Sequence, residues 1–327
     1  MRVGKILLTS ALCVVAAAAQ AQGWSPSKNV EIIVGSAPGG SNDKTARAVE
    51  RTLVENKFVK TTMSVVNKPG GGGSIAFTFV SQRAGDPHTL LVGTTALLTN
   101  HITGRSKLSH KDFTPIASLF QDYVVFVVNA KSPIKDGKDL VARLKSDPQS
   151  IAIGFATALG SHNHIAAGLL MKAIGGNVRN LKPVAYKGSS VAITNLLGGH
   201  IDLVTTAAGN AAGHVAAGRL RVVGAAAPRR FGGALADVPT WKEQGVNLVY
   251  GGFRSIVGPK GLTADQVAFW EDALRKASKT PKWQADLKKN YWSDDFTTGA
   301  DFGKELDESY AAMKSVLVDL GLAREKK

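Results

Sequence analysis

A glycine-rich turn, Ala37-Pro38-Gly39-Gly40-Ser41-Asn42-Asp43, follows an apolar run at 30–34 and precedes apolar positions at Ala46, Val49 and Leu53. The run has the length of a buried strand, and the three later positions fall on one face of a helix. A strand that re-enters as a helix through such a turn constrains the chain more than any other feature. The first helical N–H groups lack intrahelical partners and stand at the positive end of the helix dipole. Glycine lets the backbone approach a bound group closely. The turn is therefore suited to an anion, a carboxylate above all. Glycines also shape many strand–helix joints for geometry alone, so support must come from the rest of the chain.

The pattern repeats. Apolar runs at 30–34, 62–66, 90–92, 123–128, 151–154, 203–205, 221–225 and 255–257 predict strands, with helical segments between most of them. That alternation implies an α/β fold with mostly parallel sheets. Three further small-residue turns open helices: 155–160 with Ser161 as N-cap, 186–190, and 205–210. Helix starts at the carboxyl ends of strands can converge on one cleft. Toward the C-terminus, Thr263 and Gln266 form a capping box before Val267, Trp270 and Leu274. Pro281 suits a first helical turn. Thr298 with Asp301 opens a helix carrying Phe302, Leu306, Tyr310 and Met313.

The first residues predict a secretory signal spanning 1–21. Arg2 and Lys5 precede an apolar stretch at 6–19, and Ala19-Gln20-Ala21 fits a small-x-small cleavage site. The stretch is short for a membrane span. The single cysteine, Cys13, lies inside it behind Leu12, which argues against lipid attachment. The exported chain then has no disulfide, thiolate metal site or cysteine nucleophile. The formal charge is +15, so anions are attracted at long range. Lysines and arginines are scattered and not interleaved with aromatics, which disfavours nucleic acid. Small anionic solutes fit better, with plain solubility as the other reading of the charge.

Together these residues resemble the Bug family, the periplasmic solute receptors of tripartite tricarboxylate transporters. The resemblance runs over nearly all of the chain beyond residue 21. It rests on residues 33–43, on Asn67-Lys68-Pro69-Gly70-Gly71-Gly72-Gly73-Ser74-Ile75-Ala76, and on Asp86-Pro87-His88-Thr89-Leu90-Leu91. It continues through Gly160-Ser161-His162-Asn163-His164, Tyr186-Lys187-Gly188, Leu197-Gly198-Gly199-His200-Ile201-Asp202, and the intact stretch from Leu235 to Gly245.

The resemblance implies a two-lobed flytrap fold (type II periplasmic-binding-protein class), each lobe a mostly parallel sheet flanked by helices. Lobe one would hold 24–124 plus 250–327, and lobe two 125–249. It implies a monomer without cofactor or metal that closes on a small organic carboxylate and delivers it to membrane permease subunits. Implied ligand-binding positions are Ala37, Pro38, Gly39, Gly40, Thr94 and Thr95 in lobe one. In lobe two they are Thr157, Gly160, Ser161, Lys187, Gly188, Ala207 and Ala208. Asp43 is assigned to capping the first helix rather than to touching an anion. The family's usual Trp–aromatic–Gly element is replaced by Gly251-Gly252-Phe253-Arg254-Ser255. An arginine like Arg254, and a pair like Asp122-Tyr123, occur in the tricarboxylate-binding branch. Arg254 is thus either the anchor of an extra ligand carboxylate or the partner of Asp122 near the hinge.

Rival readings are poorer in residues. His162 and His164 diverge around a helix start, and no neighbouring acid or cysteine completes a metal set. An exported hydrolase would need a nucleophile elbow, an H-E-x-x-H pair or a well-placed Ser-x-x-Lys, and none is found. A receptor that presents its ligand to a membrane sensor kinase remains open beside uptake.

Overall fold

The structure is a computed structural model that describes residues 23–324, so the expected signal at 1–21 lies outside the described residues. In chain order the elements are β1 (Val30–Val34), α1 (Ser41–Glu55), β2 (Met63–Asn67), α2 (Ser74–Ser81), β3 (Thr89–Thr94), α3 (Ala96–Ile102) and β4 (Phe113–Asn129). Next come α4 (Gly137–Ser146), β5 (Ala152–Ala156), α5 (His162–Ala173), β6 (Lys182–Tyr186), α6 (Ser189–Leu197), β7 (Leu203–Ala207), α7 (Ala208–Ala216) and β8 (Leu220–Ala225). The last are β9 (Gly251–Pro259), α8 (Ala264–Ser278), α9 (Pro281–Asn290), β10 (Ser293–Thr298) and α10 (Gly299–Asp319).

Strand β4 belongs to two sheets. Through Tyr123 it pairs with β9, and from Val124 it pairs with β7 and β8 instead. The first sheet runs β2-β1-β3-β9-β4, with β10 on β4's other edge; in the second, β4 leads through β7 and β5 to β6, with β8 also on β4. The return crossing lies beside the outgoing one: the Val124 N–H donates to the Tyr250 carbonyl at 3.3 Å, and the Tyr250 N–H donates to Ala226 at 2.8 Å. Both sheets are mixed rather than mostly parallel. Parallel pairing holds for β2-β1-β3 and for β6-β5-β7. Every pair made by β4 or β9 is antiparallel, because these strands carry the chain between the sheets in opposite directions.

Burial explains the sequence pattern. β1 sits between two parallel neighbours and is covered on both faces, so it reads as an unbroken apolar run. The first core gathers Trp270, Trp283 and Phe120 around β1, β3 and β9. Each such side chain contributes roughly 1.5–3 kcal/mol by leaving water. Trp270 satisfies its indole N–H on the Pro87 carbonyl at 3.0 Å. The second core centres on Phe126 and Trp241, whose rings meet edge to face at 5.1 Å. Helix α10 joins the two: Phe302 and Leu306 pack beside β1 and β3, while Leu317 packs into the second core.

Candidate functional site

Carboxyl ends of strands from both sheets meet around a cavity of about 110 Å³. The first wall is the turn between β1 and α1. Gly35 lies so close to the next glycine turn that a Cβ on it would stand 2.9 Å from the Gly73 Cα. That contact lets Gly72 and Gly73 join Ala37, Pro38 and Gly40 in the lining. Asp43 sits in the first turn of α1 and reaches back. Its carboxylate accepts from the Gly39 N–H, the Asn67 amide and the Arg47 guanidinium, each at 3.0 Å. Burial alone would raise its pKa, but these bonds together outweigh burial and hold the carboxyl below its ordinary value. Asp43 thus fixes the turn, and Gly39, whose amide it takes, is not among the walls.

The second wall comes from the other sheet. Thr157 and Ser161 lie between β5 and α5, Lys187 and Gly188 precede α6, and Ala207 precedes α7. Ser161 occupies the N-cap position, yet its hydroxyl donates to the Ala156 carbonyl at 2.7 Å instead of capping. Gly160 turns away and gives its N–H to His164 Nδ1 at 2.9 Å. Ala208 is fully buried in the second sheet's core. Thr94 lines the cavity, whereas Thr95 faces a separate depression beside Tyr250 and Gly251.

Helices α1, α5, α6 and α7 open toward this space, and α2 begins at its Gly73 wall. None has a side-chain hydrogen bond at its N-cap. No acidic side chain lines the cavity among the described residues, while Lys187 and Arg254 do. The arrangement presents free main-chain donors and positive charge.

Arg254 is both a cavity residue and a buried ion-pair partner. Its Nη2 donates to Asp122 Oδ2 at 3.1 Å, and Nη1 donates to the carbonyls of Gly252 and Phe253. Asp122 also accepts a 2.6 Å bond from the Ser41 hydroxyl, which ties α1 to the pair. Burial pushes the Asp122 pKa upward, against the pull of Arg254. Beside them stands His162, whose pKa burial and the Arg254 charge push down to about 3. Burial takes His164 down to about 4; its ring stacks on Phe155 at 4.8 Å. Both rings are neutral near pH 7. One serves the cavity wall and the other the backbone.

Sequence reasoning missed several lining residues. Gly72 and Gly73 belong to the four-glycine run at 70–73, and that run was the available signal. Asn163 and Asn210 lie in the motif at 160–164 and the turn at 205–210, but only the fold brings α5 and α7 to one cavity and places these two residues in its lining.

Residues 46–322 match the model of the tripartite tricarboxylate transporter family receptor, TctC. The chain belongs to this receptor family. Among relatives, protein BugT of Bordetella pertussis is 30% identical over 241 residues, covering 72% of each chain. A TctC solute-binding protein from Polaromonas is 26% identical with a TM-score of 0.68, covering 90% of this chain and 99% of that one. MatC from Rhodopseudomonas palustris, solved with bound malate, shares the fold at a TM-score of 0.78 and 24% identity, covering 89% of this chain and 99% of that one. This TctC-family chain is accordingly a solute-binding receptor and not an enzyme.

Proposed function

We propose that this receptor is exported through the signal at 1–21 and captures a small organic carboxylate in the periplasm. As a monomer it then delivers the ligand to the membrane subunits of a tripartite transporter. The observation that carries the ligand class is the set of four uncapped helix starts around a cavity without acidic walls. Each is a site of partial positive charge that a carboxylate satisfies. The malate held by the related MatC agrees with that chemistry. Residues 24–124 with 250–327 and residues 125–249 act as two lobes that close about the paired crossings at Val124 and Tyr250.

Within the cavity, the amides of Gly40 and Gly188 and those of the first turn of α5 hold one carboxylate. Arg254, braced by Asp122, places positive charge beneath a second. A thermal-shift panel of mono-, di- and tricarboxylates tests the reading. A ligand at a hundredfold its Kd stabilises by about 2.7 kcal/mol. No stabilisation by any organic carboxylate overturns the proposal. Arg254→Ala should weaken di- and tricarboxylates far more than monocarboxylates; equal loss would reduce Arg254 to a structural role.

A further inference from the structure

Arg105 stands just after α3, on the side of the first sheet, and lies outside the cavity lining. Its guanidinium spans two regions of the cleft. Nη2 donates to the Leu159 carbonyl at 2.6 Å, in the loop between β5 and α5 of the second sheet. Nη1 donates to Asn100 Oδ1 at 3.0 Å. Asn100 is 2% exposed, and its amide donates to the Gly72 carbonyl at 3.0 Å and to the Ser74 hydroxyl at 3.2 Å. A planar fork with fixed donors suits such a bridge. One side chain therefore links the glycine turn that backs the first wall to the loop that forms the second.

That loop has little else to hold it across the cleft. Its remaining side-chain hydrogen bonds among the described residues are local, from Ser161 to Ala156 and from Gly160 to His164. The Leu159 side chain is 45% exposed. Thr103, two residues before Arg105, also approaches the loop: its Cγ2 lies 3.1 Å from where a Cβ on Gly160 would be.

We propose that Arg105 is a positioning residue for capture: it clamps the loop 157–161 against the first wall, so that both sets of main-chain donors face the ligand together. The proposal deepens the receptor reading and rests on it for its effect on affinity. The geometry itself can be tested without any ligand. Two variants are compared with the wild type, Arg105→Ala, which removes the bridge, and Arg105→Lys, which keeps the charge but loses the fork.

Hydrogen exchange of the unliganded proteins reads the clamp directly. Amides at 157–161 should exchange about tenfold faster or more in both variants, while those of β5 and the middle of α5 stay unchanged. Calorimetry with malate and with adipate should show Kd raised about tenfold for each, by the same factor, since Arg105 touches neither ligand. Unchanged exchange at 157–161 overturns the proposal, as does an affinity restored by lysine, which would make Arg105 a simple attracting charge. Should the alanine variant fold poorly, the lysine variant alone decides the matter through the same exchange measurement. If the wild type binds no carboxylate at all, the receptor reading fails, and the exchange result still judges the clamp.

Discussion

Helices that open into the cleft begin differently from most of those that open onto the outside. Outside, Asp136 caps α4, Thr263 and Gln266 close a capping box on α8, and Thr280 caps α9. Facing the cavity, α1, α5, α6 and α7 start at Gly40, Ser161, Gly188 and Ala207 with no side-chain cap. Helix α10 also starts uncapped away from the cleft, but there the Thr298 hydroxyl accepts a 2.6 Å bond from Arg275. A missing cap costs about 1 kcal/mol where an alanine stands at the N-cap and a few tenths where a glycine does. Four omissions at one place leave the empty receptor less stable than it could be. They also leave amides free for the carboxylate proposed to bind there. On that proposal, stability given up at the cleft reappears as affinity.

Supplying a cap inside the cleft should break the contrast with the largest effect. At Gly188 the backbone is extended, with φ at −169°, and a Cβ would meet nothing within 4 Å. Gly188→Asp therefore fits without strain and places a carboxylate on the start of α6. Carboxylate Kd should rise on the order of ten- to a hundredfold, equivalent to about 1.4–2.8 kcal/mol. Stability without ligand should rise by a few tenths of a kcal/mol. Calorimetry and urea unfolding read the two effects separately, and an undiminished affinity would mean that the start of α6 serves no anion.

Removing an outer cap should do the reverse and sharpen the contrast. The Thr280 hydroxyl accepts from the Trp283 N–H at 3.2 Å and donates to the Ala277 carbonyl at 2.8 Å. Thr280→Ala should cost about 1 kcal/mol of stability, a fall in Tm of a few degrees for a chain of this size. Ligand affinity should not change. A parallel loss of affinity would show that α9 is coupled to the cleft.

Much of this arrangement was legible because local chemistry fixes it. Strands buried on both faces, such as β1, β5 and β7, announce themselves as apolar runs. The capping box at Thr263 and the proline at the start of α9 stand where the pattern puts them. Two of the edge strands, β6 and β10, were not legible. β6 exposes Lys182, Pro183 and Ala185, and β10 reads Ser-Asp-Asp-Phe-Thr-Thr, so neither carries an apolar signature. The first half of β4 was missed as well, because Thr114, Pro115, Ser118 and Gln121 interrupt its apolar residues. At the site, residues in glycine turns could be named in advance. The division of labour within each turn could not, since Gly39 and Gly160 look like their neighbours until Asp43 and His164 claim their amides. The ion pair with Asp122 is one of the two roles considered for Arg254, and the grip on a second ligand carboxylate belongs to the proposal alone.

The smallest expected effect comes from pH, and it separates the cleft's chemistry from its stability. His162 and His164 sit at about 3 and about 4 in the folded protein, against about 6.5 in an unfolded chain. Both shifts are downward, so as pH falls below about 6.5 the unfolded chain takes up protons that the folded one refuses. The stability these neutral rings allow is complete above that value and drains away as pH falls toward their folded pKa values. Between pH 7 and pH 6 the loss should be roughly 0.7 kcal/mol per ring. His164→Gln should remove its share of the slope in urea unfolding. Over pH 5.5 to 8 the affinity for a fully ionised carboxylate should stay level, because main-chain amides do not titrate and neither ring gains charge. A receptor that binds more tightly as the solution is acidified would mean that His162 is protonated in the cleft. Anion capture would then depend on a titrating side chain as much as on uncapped helix starts.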